Sequence, residues 1–407
     1  MSLTGAPEYL LGTQRVRDPE QTLAWVAPLA RRCGITRVLD ITHLDRIGIP
    51  TYNAVRPKGL VLSISNGKGL TRAAASVSAI MESIEIEHAE YPSTERWLLS
   101  SSARGLQREG RRSLDPKTLI QDCLWPTDEY GGLHYSEDLV LDWVVGHEMI
   151  RGGEVVLPAS TVYVVPPYTH YFTSNGLASG NTTEEAALHA ICELIERDAI
   201  ARVTGRSANS PPAVFVRIAL DSLPEPLRQL GKLIDAAGIE LFLFNLPCVI
   251  DIYAFWAILY CPGEPAFILS TSTGYGSHTH PVVAASRAVT EAAQARLAHI
   301  HGAREDLGVD HVNRQLSEEE RLKRSSAQAG AFGKFKAMPT MTWCQLLDMR
   351  PHKAEGLSVS ASLQAVLGML DAAGMHKVFM HDLTKPEVGV PVVRIFVPGL
   401  RLNASNL

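Results

Sequence analysis

The stretch SNGLASGNTTEEAALHAICELIERDA, residues 174–199, decides the fold that we expect of this chain of 407 residues. A glycine-rich segment over 174–182 leads into an alanine-rich run, which predicts a strand-to-helix junction and a helix over 183–203. A second stretch, SNGKGLTRAAASVSAIMESIEIEHAE at 65–90, has the same order and predicts a helix over 71–90. Both stretches begin with Ser-Asn-Gly and reach a Glu-x-x-Glu pair, which indicates an internal repeat.

A second repeat relates three places where a helix-like stretch ends in glycine and a β-rich run follows. The glycines are Gly34, Gly238 and Gly374, and the runs are ITRVLDIT, IELFLFNL and MHKVFMHDLT. Glycine ends a helix readily because it adopts the left-handed conformation found at many helix ends. Two copies continue into a matching turn and strand, GIPTYNAV and GVPVVRIFV. Duplication and the general frequency of such units in α/β proteins both explain the pattern, and the sequence leaves the choice open.

The remaining elements complete a mixed α and β class, in which we expect β-sheets to pack against alanine-rich helices that converge on one site. No shift in composition marks a boundary, so a single domain over 1–407 is predicted. A charge-rich stretch over 303–330 is predicted to be a surface helix or a mobile segment. Further helices are predicted over 20–33, 224–237, 281–301 and 359–373, and strands over 36–42, 60–65, 154–165, 240–246, 252–260, 266–272, 377–381 and 391–397.

Composition and charge exclude several classes of protein. Hydrophobic residues make up 46% of the chain and charged residues 20%, which is typical of a globular protein and not of a disordered one. The net charge of −5, from 38 basic and 43 acidic residues, argues against a nucleic-acid partner held by bulk charge. The six cysteines form no Cys-x-x-Cys pair, so we expect neither a zinc site nor a disulfide framework.

Neither an export signal nor a membrane span is predicted. The N-terminus has no basic region followed by an apolar run, as a signal peptide would. The longest apolar stretch, 252–261, is too short to span a bilayer. We therefore expect a cytoplasmic protein without a membrane partner, in agreement with its scattered cysteines.

Acidic residues form a stripe along the predicted helix over 71–90. Ser78, Glu82 and Glu85 are spaced at i, i+4 and i+7, which places them on one helix face. Alanines surround this face, so the helix is expected to be largely buried. A buried carboxylate is costly unless it is paired or bound to a cation. The stripe therefore indicates a cation site.

The helix over 183–203 carries a matching stripe. Glu185, Glu193 and Glu196 share one face. Asn181 lies one turn earlier, and Arg197 follows the last glutamate. If the two helices face each other, four carboxylates converge, those of Glu82, Glu85, Glu193 and Glu196. Such a concentration of negative charge requires divalent cations, and hard oxygen ligands favour Mg²⁺, which also binds phosphate oxygens.

A third alanine-rich helix, predicted over 281–301, carries Arg287, Glu291 and Gln294 at i, i+4 and i+7. The planar guanidinium of Arg287 suits phosphate. An ion pair between Arg287 and Glu291 on an exposed face is the alternative. Three polar stripes on three alanine-rich helices favour a nucleotide site over ordinary amphipathic surfaces.

The glycine segments before the first two helices have two interpretations. A helix N-terminus presents free N–H groups to an anion, whereas a strand-to-helix turn needs glycine for its backbone conformation. Neither segment is a Walker A loop, and GxGxxG, HExxH and GxSxG motifs are absent from the sequence. His278 and His280 lie in GSHTH, where two histidines without a third ligand indicate a loop more often than a metal site.

Several long motifs in a fixed order make the chain resemble the YcaO family of ATP-dependent enzymes that modify peptide backbones, and the resemblance covers nearly the whole chain. The motifs are RVRDPEQT (15–22), GITRVLDITHLDRIGIP (34–50), SNGKGLTRAAASVSAIMESIE (65–85), SNGLASGNTTEEAALHAICELIERDA (174–199), SRAVTEAAQAR (286–296) and PVVRIFVPGL (391–400). The resemblance implies a YcaO-type fold and Mg-ATP-dependent phosphorylation of a backbone amide oxygen. A Cys, Ser or Thr side chain of the substrate, or an external sulfur donor, then attacks the activated carbon, and the products are azolines or thioamides.

The resemblance also implies roles for individual residues, most of which the polar stripes single out as well. It assigns catalytic roles to Arg197 and Arg287 and Mg²⁺ binding to Glu82, Glu85, Glu193 and Glu196. It assigns nucleotide binding to Arg15, Ser78, Glu82, Asn181, Glu185, Arg197 and Arg287. The family's N-terminal Lys-Gly-x-x-Arg run is represented by LLGTQR, in which Arg15 matches the arginine and the lysine is absent.

The subtype is indicated by GITRVLDITHLDRIGIP, MESIEIEHAE and TEAAQARLAHIHGAREDL, which look most like family members encoded beside TfuA proteins and linked to thioamide formation. The chain ends in GLRLNASNL, without the proline-rich tail of azoline-forming members, and no leader-binding domain is recognised. We therefore expect thioamidation of a ribosomal peptide or protein, with a TfuA-like partner, a sulfur donor and a second copy of the chain as candidate partners. An azoline-forming cyclodehydratase and a non-catalytic nucleotide-binding subunit are the alternatives.

Overall fold

Helices and strands alternate along the described part of the chain, which confirms the expected mixed α and β class. The structure is a computed structural model, and it describes residues 9–90, 99–116, 118, 135–165, 173–204, 215–262, 269–304, 317–349 and 357–401. The chain divides into two compact units. The first comprises Met1–Lys58, Leu62–Ser83 and Pro211–Gly356, and the second comprises Gly59–Val61, Ile84–Ser210 and Leu357–Leu407. The expectation of a single domain stays a prediction.

The described strands are β1 (Tyr9–Leu10), β2 (Gln14–Arg15), β3 (Arg37–Asp40), β4 (Thr51–Val55), β5 (Ile64–Lys68), β6 (Leu99–Ser102), β7 (Val140–Glu148), β8 (Glu154–Pro158), β9 (Leu177–Ser179), β10 (Val216–Ile218), β11 (Glu240–Leu246), β12 (Tyr253–Tyr260), β13 (Thr271–His278), β14 (Thr340–Met341), β15 (Phe379–Asp382) and β16 (Val392–Phe396). The described α-helices are α1 (Pro19–Ala30), α2 (Arg72–Glu90), α3 (Ala103–Arg108), α4 (Ala159–Val162), α5 (Thr183–Thr204), α6 (Leu227–Ala236), α7 (Pro281–His301), α8 (Glu318–Ala337), α9 (Trp343–Met349) and α10 (Val359–Ala372).

The first unit contains a hairpin and two larger sheets. Strands β3, β4 and β5 form an antiparallel sheet in which Asn53 of β4 lies opposite Leu39 and Asn66. A five-stranded sheet has the order β13-β12-β11-β10-β14, in which β10 and β14 are parallel and the other neighbours are antiparallel. Strands β1 and β2 form the hairpin, which ends at Arg15.

Both faces of the five-stranded sheet are buried, as the unbroken apolar run of β11 requires. Leu243 packs in one cluster with Ala288 of α7. Phe242 and Phe244, which alternate with it and point to the opposite face, pack in another cluster with Phe332 of α8. Helix α8 begins within the charge-rich stretch over 303–330, which was predicted as a surface helix or a mobile segment, and extends beyond it to Ala337. The buried Phe332, just past that stretch, packs the helix against the sheet. Residues 305–316 lie outside the described residues.

The second unit contains a six-stranded sheet with the order β6-β7-β15-β16-β9, and β8 pairs with β7. All of its neighbouring strands are antiparallel. Helix α5 packs against β9, β16 and α10 and is buried along most of its length. This packing brings α5 beside the strand that precedes it in the chain.

Within the described residues, the helix–glycine–strand pattern is found at three places with the same spatial arrangement of strands. Gly34, Gly238 and Gly374 have φ of +75°, +69° and +86°, and each follows a helix and precedes an antiparallel strand pair. In the first two copies a third strand follows and leads into a long helix, β5 into α2 and β13 into α7. In the third copy, β9 and α5 take these places although they come earlier in the chain. The three helices with polar stripes, α2, α5 and α7, therefore have equivalent places in the three copies of this pattern.

Three predicted strands differ from the structure. The strand predicted over 60–65 is Ile64–Lys68, and the strand predicted over 154–165 ends at Pro158, where α4 begins. The strand predicted over 266–272 is Thr271–His278, and residues 266–268 lie outside the described residues. Its sequence, TSTGYGSH, lacks apolar alternation because glycines face α7. Among the described helices, none is both long and apolar enough to span a bilayer.

Candidate active site

The three helices with polar stripes are mostly buried, and several of the predicted site residues lie at their partly exposed positions, whereas Glu185 and Glu196 are each 2% exposed. On α2 the partly exposed positions include Ser78, Glu82 and Glu85. On α5 they include Glu193 and Arg197. On α7 they include Arg287 and Glu291, and the positions between them are buried alanine, valine and threonine. This confirms the expectation that the helix predicted over 71–90 is largely buried, and it shows that ionisable groups are among the residues that remain accessible on all three helices.

The ten predicted site residues are distributed over the two units. Arg15, Ser78, Glu82 and Arg287 belong to the first unit, and Glu85, Asn181, Glu185, Glu193, Glu196 and Arg197 belong to the second. The assignment of nucleotide and Mg²⁺ roles to these residues stays a prediction.

Near the middle of α5, the second unit brings two glutamates and an arginine together. Nη2 of Arg197 lies 3.7 Å from Oε1 of Glu193 and 3.8 Å from Oε1 of Glu196. Glu196 is only 2% exposed, so its charge is deeply buried. The guanidinium offsets part of the cost of that burial. The cluster of Glu193, Glu196 and Arg197 carries one net negative charge when all three groups are ionised.

A short segment before α5 organises further carboxylates through its backbone. The N–H of Asn181 donates to Oε1 of Glu185 at 3.0 Å, and the Asn181 side-chain amide donates to the same oxygen at 3.0 Å. The N–H of Gly176 donates to Oε2 of Glu193 at 3.3 Å. The N–H and the hydroxyl of Ser179 both donate to Oε1 of Glu85. The sequence interpretations of this segment were an anion cradle or a turn, and in the structure its N–H groups hold the protein's own carboxylates.

Ser179 is the residue of this region that the sequence analysis missed. A serine in a glycine-rich segment carries no distinctive signal, because serine is common in turns. Gly176, three residues before Ser179, has φ of +78°, and a Cβ there would collide with the carbonyl oxygen of Ile395. Glycine is therefore required for the backbone to approach β16 and to direct its N–H towards Glu193.

In the first unit, glycines let helices lie directly on strands. A Cβ on Gly274 or Gly276 of β13 would collide with the backbone of α7. A Cβ on Gly67 of β5 would collide with the backbone of α2. The close contact at Gly276 places the Cβ of Arg287 above it. Glu291, one turn further along α7, pairs with Nζ of Lys68 at 2.8 Å.

Positive charge gathers around His278 in the first unit. The side chain of His278 is buried, and its Nδ1 accepts the N–H of His280 at 3.0 Å. Burial lowers the pKa of His278 to about 3, and the charges of Arg287, His280 and Arg15 add to the decrease. His278 is therefore neutral at physiological pH, with two predicted phosphate-binding arginines nearby. The expectation of a plain loop is corrected here, because His278 ends β13 and His280 occupies the position directly before α7, without a side-chain hydrogen bond to the helix N-terminus.

The donor set expected for Mg²⁺ fits that ion chemically. Glu82, Glu85, Glu193 and Glu196 offer only hard carboxylate oxygens, which Mg²⁺ prefers. The N–H of Gly176 donates to Glu193, and the N–H and hydroxyl of Ser179 donate to Glu85. Within the described residues, no group of three or more His, Cys, Asp and Glu side chains is clustered closely enough to hold a metal ion. The four-carboxylate site stays a prediction.

Comparison with known proteins places the chain in a family. The profile of the YcaO cyclodehydratase family, described as binding ATP and Mg²⁺, matches residues 66–401. An uncharacterized protein of Mycobacterium tuberculosis is 33% identical over 97% of this chain and 84% of its own length. An uncharacterized protein of Rhizobium leguminosarum bv. trifolii, named for its position in the tfuA 3′ region, is 30% identical over 100% of this chain and 92% of its own length.

A solved structure shares the fold. YcaO from Methanopyrus kandleri, bound with AMPPCP and Mg²⁺, superposes with a TM-score of 0.71 over 96% of this chain and 93% of that chain, at 24% identity. This similarity confirms the expected YcaO-type fold. The family description confirms ATP and Mg²⁺ as the expected cofactors at the level of the family. The chain belongs to the YcaO cyclodehydratase family of ATP- and Mg²⁺-binding proteins.

Proposed function

We propose that this chain uses ATP and Mg²⁺ to activate a backbone amide of a ribosomal peptide or protein, and that the product is a thioamide formed with a TfuA-like partner. The observation that carries the proposal is the distribution of exposure on α2, α5 and α7. Each helix is buried except for a strip that contains ionisable residues. The neighbouring carboxylates of Glu185 and Glu196 are each 2% exposed, and burial of a charge costs free energy that a bound cation offsets; Mg-ATP supplies both a cation and an anion.

The chemistry needs activation because an amide carbonyl is a poor electrophile. Transfer of the γ-phosphoryl group to the amide oxygen converts that oxygen into part of a leaving group. Sulfide then adds to the carbon, and inorganic phosphate departs with the original amide oxygen. The net change is amide plus sulfide plus ATP to thioamide plus ADP plus phosphate, with no change of redox state.

The roles proposed for individual residues are those that the family resemblance implies, and the charges of the glutamates and arginines agree with them. Glu82, Glu85, Glu193 and Glu196 would hold Mg²⁺, which neutralises charge on the phosphates when it is bound. Arg197 and Arg287 would offset the negative charge that develops on the transferred group. Arg15, Ser78, Glu82, Asn181, Glu185, Arg197 and Arg287 would bind the nucleotide. Glu185 is held by Asn181 through three hydrogen bonds, so its carboxylate is oriented before the nucleotide arrives.

The preference for a thioamide product is supported by a relative and by sequence segments. The Rhizobium protein, 30% identical to this chain, is named for its position beside tfuA. The segments that resemble TfuA-associated members cover 34–50, 81–90 and 290–307. A cytoplasmic location stays part of the proposal.

The test is the mass of the product. The enzyme, its TfuA-like partner, ATP, Mg²⁺ and a sulfide source are incubated with the peptide or protein encoded beside its gene. Replacement of oxygen by sulfur adds about 16 Da, whereas cyclodehydration removes about 18 Da, and both use the same activated amide. A loss of water that persists without sulfide would refute thioamidation.

The second candidate is an azoline-forming cyclodehydratase, and the description of the matching family favours it. In that reaction a Cys, Ser or Thr side chain of the substrate attacks the activated carbon, so no sulfide is needed. Replacing that residue of the substrate by alanine would abolish the product. A non-catalytic nucleotide-binding subunit is the third candidate, and it would bind ATP without turnover.

A further inference from the structure

Ser179 makes an unusual pair of contacts in the second unit. It ends β9, and it is 4% exposed. Its hydroxyl donates to Oε1 of Glu85 at 2.6 Å, and its backbone N–H donates to the same oxygen at 2.7 Å. One carboxylate oxygen therefore receives two short hydrogen bonds from one residue. Short bonds to an ionised acceptor are the strong ones in proteins.

Two donors on one oxygen restrict the Glu85 side chain more than one donor would. With a single hydrogen bond to one of its oxygens, a carboxylate can still rotate about the axis of that hydrogen bond. The hydroxyl and the N–H of Ser179 both bind Oε1, at 2.6 and 2.7 Å, so rotation of the carboxylate would have to break or lengthen one of them.

Two residues close to Ser179 in the chain also donate backbone hydrogen bonds to carboxylates. Gly176 donates its N–H to Glu193, and Asn181 donates its N–H to Glu185. Donors spaced over six consecutive residues therefore orient three carboxylates of one unit. At Ser179 a side-chain hydroxyl donates to the same carboxylate as the backbone N–H. A substitution can therefore remove the hydroxyl and leave the N–H in place.

We infer that Ser179 is a positioning residue for metal binding: its hydroxyl orients the Glu85 carboxylate towards the Mg²⁺ of the nucleotide complex. The inference rests on the proposed function, since it takes Glu85 as a Mg²⁺ ligand. Residues that hydrogen-bond a metal-binding carboxylate typically change metal affinity about 10- to 100-fold when they are replaced. Because the N–H of residue 179 remains in every variant, we expect the lower end of that range.

The experiment measures the Mg²⁺ dependence of AMPPCP binding by calorimetry, with the full chain and without turnover. Ser179→Ala should raise the Mg²⁺ concentration needed for half-maximal binding about tenfold. Ser179→Thr keeps a hydroxyl and should stay within about threefold of the wild type, whereas Ser179→Val, which has nearly the same shape as threonine, should behave like Ser179→Ala. The Thr and Val variants differ in the hydroxyl alone, so they test it even if Ser179→Ala folds poorly.

Thr161→Ala is the matched control, because Thr161 is a buried residue of the same unit whose hydroxyl donates to a backbone carbonyl, that of Pro158. It should lower the melting temperature without changing the Mg²⁺ dependence. Equal Mg²⁺ dependence in the wild type, Ser179→Ala and Ser179→Val would overturn the inference and leave the proposed function standing. An equal shift in Thr161→Ala would also overturn it, since general loosening would then explain the effect. Absence of Mg²⁺-dependent AMPPCP binding in the wild type would overturn the proposed function and the inference together.

Discussion

Lys68 and Glu291 form an ion pair in the first unit, with Nζ of Lys68 2.8 Å from Oε2 of Glu291. Lys68 ends β5 and Glu291 lies in the middle of α7, so the pair joins two elements that are far apart in sequence. The other carboxylate oxygen, Oε1, accepts the N–H of Tyr275 at 3.1 Å. The pair thus fixes Glu291 on the exposed strip of α7 that also carries Arg287.

The pair should contribute measurably to stability. Its side chains are 20% and 23% exposed, so solvent screens it less than a surface pair. A double-mutant cycle with Lys68→Met and Glu291→Gln should give a coupling of about 1 kcal/mol in denaturant unfolding. The exposed pair of Lys323 and Glu319 on α8 is the control, and its coupling should stay below about 0.5 kcal/mol. Equal coupling in the two cycles would contradict the role given to burial.

Removing one negative charge from the proposed metal site should weaken Mg²⁺-dependent nucleotide binding strongly. Glu82→Gln and Glu196→Gln keep the shape of the side chain and lose the charged ligand, so binding of Mg-ATP should fall by at least about tenfold. Calorimetry with ATP at a fixed Mg²⁺ concentration measures this affinity. Glu148→Gln is the control, because Glu148 is a buried carboxylate that accepts the N–H groups of Ile150 and Arg151 in a turn. Wild-type affinity in both site variants would remove the basis of the proposed Mg²⁺ site.

Arg287→Lys should impair turnover while leaving the chain folded. Lysine keeps the positive charge but loses the planar fork that pairs with phosphate oxygens. We expect the rate of ATP-dependent product formation to fall at least about tenfold. Arg217→Lys is the control, because Arg217 of the same unit donates to the backbone carbonyls of Phe335 and Lys336. Normal turnover by Arg287→Lys would show that the arginine has a structural role alone.

His278 should make the stability of the chain depend on pH. Its pKa is about 3 in the folded chain because of burial and nearby positive charge, compared with 6.5 for an exposed histidine. Below pH 6.5 the unfolded chain binds a proton that the folded chain does not, so the free energy of unfolding falls by about 1.4 kcal/mol per pH unit between these values. Above pH 6.5 neither state binds the proton, and this contribution is constant.

The change His278→Asn tests this dependence. Asparagine keeps an acceptor for the N–H of His280 but does not titrate, so the decrease in unfolding free energy between pH 7 and pH 5 should be smaller by about 2 kcal/mol than in the wild type. Denaturant unfolding at the two pH values measures the difference. The same decrease in both proteins would show that His278 is protonated in the folded chain.

Helices were easier to predict from this sequence than strands. Helix α7 begins and ends at the residues predicted, Pro281 and His301, and α5 ends one residue beyond its predicted range. Helical periodicity is a property of one continuous stretch, so it can be read locally. The prediction of β13 was wrong by several residues. The strand contains glycines that allow close contact with α7, and this contact depends on residues elsewhere in the chain.

In the candidate active site, too, some features follow from the local sequence and others only from the folded chain. The place of Glu193, Glu196 and Arg197 on one face of α5 follows from their spacing, since the geometry of a helix is the same in every protein. The partners of these groups do not follow from spacing. Ser179 reaches Glu85 across 94 residues of sequence, and Lys68 reaches Glu291 across 223. Most of the donors are backbone N–H groups, which every residue except proline carries, so no residue type marks them and only the folded chain brings them to their carboxylates.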